Sequence, residues 1–229
     1  YELDLNPLSQ ASSENWYSSE TEIEMSVKDF YRDDFWPLDN EDKTDNFIYR
    51  ETPSEILKGT FNGQSDDVTK LWANQYKSIA RANTILANMD KAVNMGISEV
   101  KLKQYEGEAF FQRASCYARL VTYFGDVIYV TEVVDIDKAF TLGRTAKSEI
   151  VPKIYEDYDK AIENLPEKYS GLSSQRATKG AALALKARFA LYMGDWDIVA
   201  DATKKCMDLG IYKLHKDYSD LFLSTTKNS

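Results

Sequence analysis

Paired carboxylates are the first chemistry to test in this chain. Acid and base catalysis of hydrolysis needs two carboxyl groups that face one bond. Glu106 and Glu108 stand two residues apart in a segment of helical periodicity, and Asp157 and Asp159 have the same spacing in another. Residues two apart on a helix point to different faces. We therefore predict no catalytic residues, and a protein that is not an enzyme.

Metal ligands are scarce. His215 is the only histidine, and it stands in a charged segment without a cysteine or a second histidine. The acidic stretch Asp39–Asp45 resembles a calcium loop in its charge alone. Lys43 and Thr44 take positions that such a loop gives to an oxygen ligand and to glycine. The sequence therefore predicts neither a metal ion nor a cofactor.

The two cysteines, Cys116 and Cys206, both fall on the apolar stripe of a predicted helix. That position favours two small buried hydrophobic side chains. A disulfide would need their Cα atoms within about 7 Å, a distance that sequence does not give, so pairing stays open.

Aromatic residues are frequent, at 13% of the chain, and several stand in one irregular polar stretch. Sugar rings stack their C–H faces on exposed aromatic rings, while their hydroxyls bond to polar side chains. The stretch supplies such a mixture, and we predict as ligand-binding candidates Trp36, Asn46, Phe47 and Tyr49. The alternative is that these aromatics pin the loop to the helices. Of the four, Trp36 and Tyr49 are the preferred ligand contacts.

Charge excludes some classes of partner. The 229 residues carry 28 Lys+Arg against 37 Asp+Glu, a formal net charge of -9. Such a chain lacks the basic surface that nucleic acid or an anionic membrane attracts. It also has no run of roughly 18 apolar residues that could span a bilayer.

Helical periodicity dominates the chain and predicts an all-α fold of one domain over residues 1–229. We expect a first helix over 15–32, a long irregular loop over 33–66, stacked helices over 67–210 and a tail over 211–229. Gly107–Asp126 is apolar on almost every face and should be the central helix, with Tyr123 widening its apolar stripe. Gly125 should end it.

Two of the later helices predict a repeat architecture. Thr178–Met193, the turn Gly194–Asp195 and a helix carrying Trp196 and Leu209 together span almost one tetratricopeptide unit of about 34 residues. We therefore expect tetratricopeptide-like helical pairs in a right-handed stack, with the long loop inserted. Ser148 is the expected cap of the helix before this pair.

Three polar residues fall on predicted buried faces. Glu108 and Arg113 are five residues apart, which rotates them away from each other, so they should serve different neighbours. Together with Asn83 they are expected to satisfy buried loop or helix-end groups rather than bind a ligand.

An ordered set of residues runs from Asn15 to Phe222. Its structural motif consists of Trp72, Tyr76, Asn83, Glu108, Arg113, Gly125 and Asp126. Further along the chain follow Arg144, Gly194-Asp-Trp196 and Tyr212-Lys-Leu214. In this order the set resembles the N-terminal portion of the SusD/RagB family of outer-membrane lipoproteins from Bacteroidetes.

The resemblance implies glycan binding for nutrient uptake at the cell surface, with a TonB-dependent (SusC-like) transporter as partner. It also implies an outer-membrane location through a lipid anchor that is absent from this chain. Ile128 departs from the family, which often has proline soon after Gly-Asp-Val. Family members are about twice this length, so we expect a C-terminal half beyond the tail. The alternative function is a tetratricopeptide scaffold that binds a peptide or protein.

Overall fold

Helices, rather than a sheet, form the architecture. The computed structural model describes residues 17–37, 44, 54–170 and 176–222. Within these ranges the one β-type pairing is an isolated antiparallel bridge between Val127 and Thr145, so the predicted all-α class is confirmed. The helices of the described ranges are α1 (Glu20–Lys28), α2 (Glu55–Lys58), α3 (Asp66–Ala87), α4 (Met89–Asn94), α5 (Glu99–Phe124), α6 (Ile136–Ala139), α7 (Lys147–Asn164), α8 (Lys179–Met193) and α9 (Trp196–Asp208).

The central helix is α5, as the sequence predicts, although it begins earlier, at Glu99. It packs on α3 and α7 along its length and also meets α1, α4 and α8. Gly107 makes the crossing with α7 possible, because an added Cβ would lie 3.0 Å from the Asn164 Cβ and 3.1 Å from the Leu165 Cγ. Burial on several sides explains the apolar character of this helix.

The first predicted helix is shorter in the structure. α1 covers Glu20–Lys28, and 3-10 turns at Asp29–Tyr31 and Asp33–Phe35 follow it. Ser19 caps α1 by accepting a hydrogen bond from the Glu22 amide. The predicted long loop also contains the short helix α2, whose end at Gly59 has φ 70°.

The stacked helices predicted over 67–210 begin with two helices that follow each other directly, α3 and α4. α3 ends at Ala87, and Asn88 leaves helical geometry with φ -106° and ψ 7° before α4 begins. The Asn88 Nδ2 donates to the Thr84 carbonyl oxygen at 2.7 Å. A side-chain amide that satisfies the carbonyl of the last turn lets the helix end there.

The cap predicted at Ser148 is wrong. α7 begins at Lys147, whose amide donates to the Asp126 Oδ1 at 2.8 Å. A carboxylate 21 residues away thus satisfies the first amide of the helix and sits at the positive end of its dipole. Asp126 ties the end of α5 to the start of α7.

The helical pair α8 and α9 is present, with Gly194 between them at φ 82°. The two helices pack on each other, and α8 also packs on α7. Asp195 stands at the cap position of α9, but its Oδ2 accepts a hydrogen bond from the Tyr155 hydroxyl at 2.5 Å. Gly180 in α8 admits the Tyr212 ring, which an added Cβ would overlap.

No helix in the described ranges is long and apolar enough to cross a bilayer. The tail is described as far as Phe222, where Tyr218–Phe222 forms a 3-10 turn.

Candidate functional site

A cavity of about 620 Å³ opens beside the C-terminal half of α5. α5 contributes one set of lining side chains, α3 and α8 contribute others, and the 3-10 turn at Asp33–Phe35 and helix α2 complete it. The side chains most able to bind a ligand there are Asp33, Asp34, Asp67, Asn74, Arg119, Tyr123, Arg188 and Tyr192. The cavity thus combines exposed aromatic rings, hydrogen-bonding groups and charges of both signs.

Two helices present the same pair of side chains to this cavity. Arg119 and Tyr123 lie one turn apart on α5, and Arg188 and Tyr192 lie one turn apart on α8. Residues four apart share one face of a helix. The tyrosine side chains remain 59% and 63% exposed, so their rings are open to a ligand.

Trp36 stands next to the cavity and is half-buried. Its Nε1 donates to the Phe30 carbonyl oxygen at 2.8 Å, and its ring stacks on Phe111 with a centroid distance of 5.6 Å. The Arg119 guanidinium carbon lies 4.5 Å from the Trp36 ring centroid. Trp36 therefore fixes the chain after α1 to α5 and supports a cavity arginine. The other candidates, Asn46, Phe47 and Tyr49, lie outside the described residues.

The motif residues on α3 and α5 hold the segment that follows α5. The Tyr117 hydroxyl bonds to both polar groups of Val130. The Tyr76 hydroxyl donates to the Ile128 carbonyl oxygen at 2.8 Å. The Asn83 Nδ2 donates to the carbonyl oxygens of Val130 and Glu132, each at 3.1 Å. These contacts satisfy an extended backbone that has no neighbouring strand.

Arg113 has the same role from the centre of α5. Its Nε and Nη2 donate to the two carboxylate oxygens of Asp157 at 2.7 and 2.8 Å. Its Nη1 donates to the Asn83 Oδ1 at 3.0 Å and the Thr131 carbonyl oxygen at 3.4 Å. Both members of the bidentate pair are buried. Arg113 thus joins α3, α5, α7 and the segment after α5.

Glu108 serves a different group of neighbours. Its carboxylate accepts from the Tyr31 hydroxyl at 2.6 Å and pairs with the Arg176 Nη2 at 2.6 Å. The Tyr31 hydroxyl in turn accepts from the Ala177 amide at 2.8 Å. Burial raises the pKa of Glu108, with the Arg176 contact opposing the shift. This network fixes the segment just before α8 to α5 and to the 3-10 turn after α1.

Trp72 completes the described motif by packing. Its ring meets Phe124 edge to face, with centroids 5.1 Å apart, and Tyr76 at 4.9 Å. Such aromatic pairs stabilise a fold beyond the area they bury. Gly125, at φ 70°, turns the chain sharply after this cluster.

The acidic pairs of the sequence are separated in the structure. Glu106 accepts from the Asn164 Nδ2 at 3.2 Å, away from the partners of Glu108. Asp159 pairs with Lys186, while Asp157 is occupied by Arg113. In the described part of the chain, no group of three or more His, Cys, Asp or Glu side chains could hold a metal ion. Both cysteines are free thiols.

Sequence reasoning missed the lining of the cavity. The sequence predicts Tyr123 on the apolar stripe of α5, yet the structure leaves its side chain 59% exposed in the wall of the cavity. The available signal was the repeated Arg-x-x-x-Tyr spacing at Arg119 and Arg188. This spacing indicates a shared binding site only once the structure shows that α5 and α8 line one cavity.

Comparisons with known proteins agree with this fold. A family model described as SusD-like, starch-binding and associating with the outer membrane matches residues 6–191. The SusD-like protein P25 of Formosa agariphila is 30% identical over 162 residues, which cover 69% of this chain and 30% of that relative. The chain therefore spans less than a third of the length of that curated relative.

Solved structures show the same arrangement of helices. A SusD-like protein from Bacteroides fragilis has 25% identity and a TM-score of 0.75, over 95% of this chain and 44% of its own. A laminarin-binding SusD-like protein has 23% identity and a TM-score of 0.78, over 93% of this chain and 50% of its own. The match of the family model over most of the chain shows that this chain belongs to the SusD-like family.

Proposed function

We propose that the protein binds glycans at the cell surface and does not transform them. The observation that carries this proposal is the cavity with two exposed tyrosines, Tyr123 and Tyr192, beside hydrogen-bonding side chains. A sugar ring can stack its apolar face on such a tyrosine. Its hydroxyls can donate to Asp33 or Asp67 and bond to the Asn74 amide.

The volume and the rigid walls of the cavity are also typical of ligand-binding sites. Its volume of about 620 Å³ lies within the range of small-molecule sites, roughly 300–1,000 Å³. Rigid helices form most of its wall, and Trp36 locks the entering chain against α5. A preformed site loses less conformational entropy on binding than a flexible one.

Family membership also supports glycan binding. The matching family model is described as starch-binding, and one solved structure with this fold binds laminarin. Those descriptions concern the relatives, and their extension to this chain is part of the proposal. The loop candidates Trp36, Asn46, Phe47 and Tyr49 belong to the proposed binding surface, with Trp36 acting beside the cavity.

We further propose an outer-membrane, surface-exposed location through a lipid anchor, with a TonB-dependent, SusC-like transporter as partner for nutrient uptake. The support is the family description, which places these proteins in association with the outer membrane. Purification of the tagged full-length protein from outer membranes tests the partnership. Recovery of such a transporter in stoichiometric amount supports it, and recovery of the protein alone refutes it.

Affinity gel electrophoresis tests the function. The full-length protein runs through native gels with laminarin, xyloglucan or one of several uronic-acid and sulfated glycans. Retardation by at least one glycan, relative to bovine serum albumin, is the expected result. Migration unchanged by every glycan in the panel would reject glycan binding.

The alternative is a tetratricopeptide scaffold that binds a peptide or protein. One observation favours it: Arg119 and Arg188 are two basic residues in one cavity, which suits an acidic peptide. Isothermal titration with a glutamate-rich peptide distinguishes the two functions. We expect the peptide to give no heat of binding and to leave glycan binding unchanged.

A further inference from the structure

The two arginines of the cavity differ from Arg113 and Arg176 in how their charges are balanced. Arg113 is paired with Asp157, and Arg176 with Glu108. Across the described ranges, neither Arg119 nor Arg188 has a carboxylate within ion-pair distance. In a chain with a net charge of -9, carboxylates are plentiful. The cavity lining balances Asp33, Asp34 and Asp67 against three basic side chains, but within the described residues neither arginine is paired with a carboxylate, so each can take an anionic ligand group as its counter-ion.

Arg119 is held in place by neutral groups. Its Nη1 donates to the Phe35 carbonyl oxygen at 3.2 Å and to the Gln75 Oε1 at 3.3 Å. Its guanidinium lies over the Trp36 ring. These contacts fix its orientation but leave its formal charge without a counter-ion. A fixed guanidinium loses little freedom when it binds an anion.

Arg188 is exposed on α8 and makes no hydrogen bond or ion pair within the described residues. α8, which covers Lys179–Met193, contains no Asp or Glu, so Arg188 has no partner on its own helix. Tyr192 lies one turn further along the same face. A ligand stacked on Tyr192 would place its substituents within reach of this guanidinium.

The carboxylates of the cavity belong to other elements. Asp33 and Asp34 are on the 3-10 turn, where Asp34 lies 3.7 Å from the Arg32 guanidinium, and Asp67 is in the first turn of α3. A polymer with a negative charge on every residue would also be repelled by these carboxylates. A glycan that combines acidic with neutral sugars avoids this repulsion, because neutral hydroxyls can donate to the aspartates.

We propose that the cavity recognises an oligosaccharide bearing an acidic group, with a uronate carboxylate or a sulfate ester bound at Arg188 and a sugar ring stacked on Tyr192. This inference deepens the proposed glycan-binding function and rests on it. Arg119 adds long-range attraction for the same group. The guanidinium fork matches either anion, since both present two oxygens for bidentate hydrogen bonding.

Matched glycans test the charge requirement on the full-length protein. Polygalacturonate of partial methyl esterification is compared with its fully methyl-esterified form, which keeps the backbone and loses the charge. Lightly sulfated dextran is compared with dextran in the same way. Binding to one charged member of a pair, with at least about tenfold weaker binding to its neutral partner, is the expected result. The two pairs separate carboxylate from sulfate recognition.

Variants test the assigned residue. Arg188→Gln should weaken binding of the charged glycan by about tenfold or more, because a charge-assisted hydrogen bond is lost. Arg188→Lys should retain part of the affinity. Arg144→Gln, which removes the same charge from an exposed arginine outside the cavity lining, serves as the matched control and should bind as wild type. Thermal melting confirms that all three variants fold.

The outcomes separate this inference from the proposed function. Equal binding of charged and neutral partners, or binding of laminarin with no preference for an acidic glycan, overturns the inference and leaves glycan binding intact. Loss of charged-glycan binding in Arg144→Gln, or none in Arg188→Gln, also overturns it. Binding of a glutamate-rich peptide in place of any glycan rejects both. Weakened binding at 0.5 M NaCl accompanies the expected result, because salt screens the charges.

Discussion

The Tyr117 hydroxyl donates to the Val130 carbonyl oxygen at 2.9 Å and accepts from the Val130 amide at 2.7 Å. One side chain on α5 thus satisfies both backbone polar groups of a residue in the extended segment. The tyrosine itself is fully buried. This contact takes the place of the strand partner that such a segment would have in a sheet, and it holds the segment on α5.

Tyr117→Phe should therefore lower the free energy of unfolding by about 1–3 kcal/mol, because the Val130 amide loses its partner in a partly buried site. Urea denaturation measures the loss. Tyr192→Phe is the control, since its hydroxyl is on an exposed side chain, and it should change stability by less than about 0.5 kcal/mol. Equal stability of the Tyr117→Phe variant and wild type would show that the contact does not hold the segment.

The pKa of Glu108 is raised because burial removes water from its carboxylate. A carboxyl group with a higher pKa in the folded state contributes stability below its unfolded pKa of about 4.3. This contribution is lost as the pH rises through the folded-state value. The free energy of unfolding of wild type minus that of Glu108→Gln should therefore fall as the pH rises above the unfolded pKa of about 4.3.

Urea titrations of both proteins over this pH range give that difference directly. Arg176, the partner of Glu108, stays charged throughout the range, so its own titration does not contribute. A difference that stays constant or increases with pH would mean that the folded-state pKa of Glu108 is not raised.

Cys116 should be unreactive in the folded protein. Its side chain is fully buried, and burial raises the pKa of its thiol to about 11. At pH 8 only about one such thiol in a thousand is ionised, and thiolate is the reactive form. Cys206 is half-buried on α9. One equivalent of Ellman's reagent should label Cys206 alone, as mass spectrometry can verify, and labelling of both at similar rates is the opposing result.

Trp36 joins the chain after α1 to α5, so its truncation should destabilise the fold. Trp36→Ala removes the stack on Phe111 and the hydrogen bond to Phe30. We expect a loss of about 2 kcal/mol or more in the free energy of unfolding. Trp196→Ala, at a 67% exposed position, should cost less than about 0.5 kcal/mol. Similar values for the two variants would indicate that Trp36 has no anchoring role.

The helices could be predicted from sequence because each buries one face, and burial imposes a 3.6-residue period. The all-α class and the central position of α5 follow from that pattern. The separate neighbours of Glu108 and Arg113 follow from helix geometry, since five residues rotate two side chains apart. The partners themselves, Arg176 and Asp157, lie 68 and 44 residues away, a distance over which no local pattern operates.

The candidate site depends on contacts of this long-range kind. The sequence predicts Tyr123 on the apolar stripe of α5, but whether neighbouring elements cover the end of a helix depends on where those elements begin and end. The residue that caps α7 could not be predicted from local sequence either, because Asp126 reaches the Lys147 amide only after the chain has folded back. Only the folded arrangement of α8 and α5 brings Arg188 and Arg119 to one cavity, so their shared role could not be predicted from sequence.

The central claim, that the cavity binds glycans through its exposed aromatic rings, is tested most directly by one paired measurement. Isothermal titration compares the full-length Tyr192→Ala protein with Tyr218→Ala, which removes an exposed tyrosine outside the cavity lining. The ligand is a glycan that retards the wild-type protein in native gels. Loss of about 1–3 kcal/mol of stacking energy predicts about fivefold to 150-fold weaker binding in Tyr192→Ala and wild-type affinity in Tyr218→Ala. Wild-type affinity in Tyr192→Ala would contradict the assignment of the cavity as the glycan site.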